Sequence, residues 1–121
     1  MPASDLRWPP DILPAAAPVF AHSERRIAAP PEVVWRWLLR AADWDRWYAY
    51  CKGLRFENAP GPDLALGTTF TWSTLGVRVT TTVTECAPPY RLAWGGTGLG
   101  ARGYHGWVIE PIDGGCNVIT E

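Results

Sequence analysis

Pro30-Pro31-Glu32-Val33-Val34-Trp35-Arg36-Trp37-Leu38-Leu39-Arg40-Ala41-Ala42-Asp43-Trp44-Asp45-Arg46-Trp47 reads as two linked helices. Pro31 suits the first turn of a helix, where its missing N–H would have no intrahelical partner. Glu32 then lies near the positive end of the helix dipole. Val34, Trp37, Leu38 and Ala41 recur at the spacing that lines one helical face. Glu32, Arg36 and Arg40 stack on another face, with Glu32 and Arg36 placed to pair at i,i+4. Asp43 is positioned to cap a second short helix in which Trp44 and Trp47 share a face. Two linked helices carrying this many aromatics predict a large apolar surface beneath them.

The flanking sequence supplies that surface. Before the helices, Val19 to Ala28 alternates as a first strand. After them, Tyr48 to Phe56 leads into a second strand, and Asn58-Ala59-Pro60-Gly61-Pro62-Asp63 is a loop. Gly67 opens a third strand with Phe70, Trp72 and Thr74 on one face. Past a turn at Leu75-Gly76, Val77, Val79, Thr81 and Val83 alternate with Arg78, Thr80, Thr82 and Thr84, the clearest strand in the chain. Pro88-Pro89 breaks the chain before Tyr90 to Gly95, where Leu92 and Trp94 share a face. Arg102 to Pro111 follows a Gly-rich turn and carries His105, Trp107 and Ile109 on one face. Asp113-Gly114-Gly115 is a hairpin signal before a last strand, Asn117 to Glu121. A strand, two helices and then six strands in meander predict an α+β domain of about six to seven strands.

Length and composition bound the function. The 121 residues suit one domain, spanning 19–121, behind a Pro/Ala-rich arm at 1–18 that Trp8 and Ile12 are placed to pin. Eleven basic residues against twelve acidic ones leave a formal charge of −1, which excludes an electrostatic nucleic-acid binder. Cys51, Cys86 and Cys116 are scattered, predicting reduced thiols and a cytoplasmic protein. The sequence carries no signal-peptide pattern and no apolar run long enough to span a membrane.

Several elements in order resemble one family. They are Ile27-Ala28-Ala29-Pro30 with Val34-Trp35, Trp44-x-x-Trp47, Gly67-x-x-Phe70, Val83-x-Glu85-x-x-Pro88-x-x-Arg91-Leu92-x-Trp94 and His105-x-Trp107. Over Val19 to Glu121 the chain is similar to the START-related, Bet v 1-like (SRPBCC) superfamily, and within it to the polyketide cyclase/dehydrase type. The resemblance implies a helix-grip fold: a curved antiparallel sheet around a long C-terminal helix, with an apolar cavity between them. The sequence departs from that pattern by stopping where the helix would begin. Such a helix would cover several hundred Å², on the order of 10 kcal/mol of gross burial. The expectation is therefore that a second copy of the chain covers the concave face, with the N-terminal arm or a separate chain as the other possible covers.

Other motifs carry less. Gly98-x-Gly100-x-x-Gly103 matches a dinucleotide fingerprint by letter, yet a strand follows it where the fingerprint needs a helix. His22, His105 and the three cysteines have no zinc-ligand spacing, so no metal and no cofactor are expected. No serine sits in a nucleophile elbow. The aromatic set is more telling. Phe70, Trp72, Trp94 and Trp107 fall on one set of strand faces, with His105 beside Trp107, and aromatics so placed either fill a core or line a pocket for a flat apolar ligand. Tyr48 and Val79 complete the candidate ligand contacts. Trp35, Trp44 and Trp47 read as core.

Binding of a small hydrophobic molecule, aromatic, lipid-like or polyketide-like, is the preferred function. The alternative is an aromatase/cyclase or dehydratase using the same cavity, with His105 handling protons. A protein-interaction module is a third reading, and fold alone does not choose among them.

Overall fold

The computed structural model describes Leu6, Arg7, Pro9 and residues 21–121. The expectations on Trp8, Ile12, Val19 and Phe20 lie outside the described residues. In chain order the elements are β1 (Ser23–Ile27), α1 (Pro31–Leu39), a 3₁₀ helix (Ala41–Arg46), β2 (Cys51–Phe56), β3 (Thr69–Thr74), β4 (Val77–Ala87), β5 (Arg91–Gly98), β6 (Ala101–Ile112) and β7 (Gly115–Thr120). The strands form one antiparallel sheet in the order β1-β7-β6-β5-β4-β3-β2. β2 to β7 thus meander, while β1 crosses by way of the helices to pair with β7. This is the α+β arrangement read from the sequence.

Two-residue turns set the register of the hairpins. Leu75 and Gly76 have φ of 52° and 80°, and Leu99 and Gly100 have 51° and 73°. Positive φ at both central positions matches the right-handed twist of the flanking strands. Gly98-x-Gly100-x-x-Gly103 is the second of these hairpins, joining β5 to β6, with no helix N-terminus to receive a phosphate.

β4 alternates as expected until an irregularity between Val83 and Glu85. Val83 pairs with Trp94 on the face that carries the helices, the inner face, whereas Glu85 pairs with Ala93 on the outer one. Strict alternation would have put the Glu85 carboxylate among the tryptophans. The extra residue, Thr84, turns it outward. There Glu85 accepts hydrogen bonds from Arg91 Nε at 2.8 Å and from Arg7 Nη1 at 3.1 Å.

The helices differ from the sequence reading in three respects. α1 buries Pro31, Trp35 and Leu38, while Trp37 is 58% exposed, so the buried stripe lies one step round from the expected face. The second helix is 3₁₀ and starts at Ala41 without a side-chain cap. Asp43 lies inside it and pairs with Arg40 Nε at 3.0 Å and, more loosely, Arg46 Nε at 3.9 Å. No Glu32–Arg36 pair occurs among the described residues. Finally, Trp44 and Trp47 part company: Trp44 is buried, and Trp47 is 47% exposed.

Trp44 is the centre of the inner-face core. Its ring packs against Phe70, Trp72 and Trp94 at centroid distances of 5.7, 5.3 and 5.3 Å. Its Nε1–H donates to Leu38 O at 2.9 Å, satisfying a carbonyl that the end of α1 leaves without an intrahelical partner. One side chain thus joins the helix end to two strands, β3 and β5. On the outer face a smaller cluster joins Leu6 to Val108 and Ile119. A side chain at Gly106 would collide with Leu6. The described part of the N-terminal segment therefore lies against the outer face, away from the helices.

Candidate functional site

The inner face is covered unevenly. Over β3, β4 and β5 the helices seal it, and Phe70 retains no exposed surface. Toward the β3–β4 and β5–β6 hairpins the cover ends, leaving a groove of about 290 Å³ walled by Trp72, Val79, Thr81, Trp94 and His105. Its floor is backbone. Gly96 and Gly98 continue the face of Trp94 along β5, and Gly103 pairs with Gly96 across the ladder. A methyl group on Gly96 would press against Val79 at 3.0 Å and Thr81 at 3.2 Å, whereas one on Gly103 would meet nothing within 4 Å. At Gly96 and Gly98 the close approach of β4 leaves no room for a side chain, with the Arg78 carbonyl 2.8 Å from a methyl group on Gly98, whereas at Gly103 a side chain would enter the groove itself.

The wall is mostly apolar, and its polar groups answer one another. Trp72 Nε1–H donates to Thr81 Oγ1 at 3.1 Å. Tyr48 is half-buried behind Trp72, with its hydroxyl 3.0 Å from Thr74 Oγ1. His105 stacks on Trp107 with centroids 4.9 Å apart and planes 20° apart, and meets Trp94 edge-on at 5.1 Å. Its Nε2 lies 2.7 Å from Thr120 Oγ1, whose hydroxyl donates to Gly106 O at 3.0 Å. Burial among these rings pushes the His105 pKa down to about 4, because a charged imidazolium would lose its hydration there. The ring is neutral at physiological pH.

The seven expected ligand contacts therefore divide. Trp72, Val79, Trp94 and His105 come together on the groove wall. Phe70 and Tyr48 stand behind the wall as support, because Phe70 is enclosed and Tyr48 is spent on Thr74. Trp107 backs His105 and turns its other side to a second depression of about 430 Å³, which it shares with Ile27, Val34, Trp37, Trp47 and Val118. Trp107 Nε1 is enclosed with no partner among the described residues. The sequence reading missed the glycine floor, Thr81 and Thr120. The two consecutive glycines after Trp94 were the available signal for the floor.

Comparison with known proteins agrees with this architecture. The family model described as "Polyketide cyclase / dehydrase and lipid transport" matches residues 20–121. The chain is a helix-grip protein of the SRPBCC superfamily. Within that class, it belongs to the polyketide cyclase/dehydrase and lipid transport family.

Among solved structures, a hypothetical protein from Helicobacter pylori superposes with a TM-score of 0.87 at 24% identity, covering 95% of this chain and 74% of that one. Ara h 8.0201 gives 0.65 at 12% identity, with 83% and 72% covered. CalU16 from Micromonospora echinospora gives 0.60 at 17%, with 82% and 55% covered. At these identities the likeness concerns the fold. Comparison with curated proteins finds no match. No helix among the described residues is long and apolar enough to cross a membrane.

Proposed function

We propose that the protein binds a small, flat, hydrophobic molecule in the glycine-floored groove between β3–β4 and β5–β6. The observation that carries this reading is the coincidence of aromatic walls with missing side chains. Trp72, Trp94 and His105 surround a space floored by Gly96, Gly98 and Gly103, and at Gly103 any side chain would enter it. A site that is mostly apolar with one or two polar groups is the usual form of a small-molecule pocket. The free thiols of Cys51, Cys86 and Cys116 support a cytoplasmic setting.

The test uses Gly103→Val, because a side chain there enters open space without meeting the fold. Planar aromatic probes should quench tryptophan emission saturably in the native protein and fail to do so in Gly103→Val, with thermal unfolding little changed. Absence of saturable quenching by any probe in the folded native protein would refute the reading.

A cyclase or dehydratase function is the second reading, supported by His105, an unprotonated base inside an apolar groove. The depression between α1 and β7 belongs to a different proposal, self-association. Trp37 and Trp47 are 58% and 47% exposed beside Ile27, Val34 and Val118, and a second copy of the chain is the cover proposed for them.

A further inference from the structure

We infer that the groove selects ligands carrying a hydrogen-bond donor, a phenolic or enolic O–H or an N–H, which His105 Nδ1 accepts, and that Thr120 holds His105 in the tautomer this requires. The inference rests on the proposed ligand-binding reading of the same groove and adds the chemical class of the ligand.

Counting hydrogens gives the tautomer. The Thr120 hydroxyl has one hydrogen, and it goes to Gly106 O at 3.0 Å. The contact between Thr120 Oγ1 and His105 Nε2 at 2.7 Å therefore has its hydrogen on the imidazole. A neutral imidazole protonated on Nε2 leaves a lone pair on Nδ1. Among the described residues Nδ1 has no partner, and it is not among the enclosed unpartnered atoms. His105 lines the groove, so the lone pair has an approach from it.

Among the other polar side chains that line the groove, Thr81 is held by Trp72 and Thr74 by Tyr48, Arg102 carries donors and no acceptor, and the Tyr104 hydroxyl is enclosed. A ligand donor entering the groove thus finds an acceptor on His105 whose orientation is set by two ring contacts and one hydrogen bond. Thr120 is a positioning residue, fixing the tautomer through Nε2 from the neighbouring strand. The relation is that of an outer partner setting which ring nitrogen is available.

Naphthol and its methyl ether separate this inference from the reading it rests on. They share a flat apolar body, and only naphthol has a donor. In the native protein at neutral pH, naphthol should bind about fivefold more tightly than the ether, the ratio a net hydrogen bond supports. In His105→Phe, which keeps a ring to stack on Trp107, that preference should vanish while the ether still binds. Long-range proton–nitrogen NMR of the imidazole should show the Nε2–H tautomer in the native protein and in Thr120→Ser, and a tautomer mixture in Thr120→Val. Equal binding of the two probes, or an Nδ1–H imidazole in the native protein, would overturn the inference and leave the ligand-binding reading standing. Failure of both probes to bind the folded native protein would remove the reading and the inference together.

Discussion

Replacing Trp44 tests how the core and the groove are linked. Trp44 is 3% exposed and touches three aromatic rings from β3 and β5, and its indole N–H satisfies the Leu38 carbonyl. Trp44→Phe keeps a ring but deletes the donor and part of the volume. The lost hydrogen bond is worth about 1 kcal/mol, and the buried carbonyl left behind adds a similar amount. With the volume lost, the cost is about 2–3 kcal/mol. Trp44→Ala opens a cavity that Phe70, Trp72 and Trp94 cannot fill by small shifts, at about 3–5 kcal/mol. Set against a total stability of about 5–15 kcal/mol, the alanine variant is close to unfolding. Chemical denaturation followed by circular dichroism measures both, since it does not depend on the deleted fluorophore. Trp72 and Trp94 form the groove wall, so probe affinity should fall in Trp44→Phe even where the protein remains folded. A loss below about 0.5 kcal/mol in Trp44→Phe, the range of ordinary surface changes, would refute the central role assigned to Trp44.

Three further outcomes follow from the structure. His105 has its pKa lowered from 6.5 to about 4 by burial, so the unfolded chain binds the proton more readily. Its contribution is present above pH 6.5 and is lost as pH falls toward 4, by about 3 kcal/mol in full, and His105→Phe should flatten that slope in acid unfolding curves. His22 acts in the opposite sense, because its bonds to Glu24 and then Glu121 raise its pKa. That contribution is present below 6.5 and fades as pH rises, and solvent around the His22 and Glu24 side chains keeps it small, so His22→Gln serves as the control. Deleting Thr84 would remove the extra residue and leave Glu85 opposite Ala93 on the outer face, so the variant should keep the fold and the Glu85–Arg91 pair at little cost in chemical denaturation. Glu85→Leu, which strips the part-buried Arg91 of its carboxylate, should cost clearly more. Light scattering across a dilution series should show a dimer that Trp37→Glu dissociates; a monomer at every concentration would remove the proposed cover for the α1–β7 depression.

What the sequence discloses about this fold is set by which forces act locally. The period-two run of β4 and the paired turn residues at Leu75-Gly76 are local, and the meander follows from them. The face of α1 is not local. Trp35 and Trp37 offer the helix two apolar stripes, and only packing on the core beneath selects the one with Trp35. The bulge at Thr84 is invisible for a related reason: threonines on both sides read as unbroken alternation, and the irregularity appears only when Trp94 and Ala93 are placed opposite. At the site, the aromatics announce themselves by type. The groove does not, since a glycine floor has meaning only once β5 and β6 are in register. Thr120 lies 15 residues from His105, and neither neighbourhood hints at the other.

The position of a bound probe decides whether the glycine-floored groove is the binding site. With naphthol at saturation, intermolecular nuclear Overhauser effects should connect its ring protons to Trp72, Trp94, His105 and Val79, the residues that wall the glycine floor. Contacts instead to Trp37 and Trp47, or to Leu6 and Val108 on the outer face, would rule the groove out as the binding site.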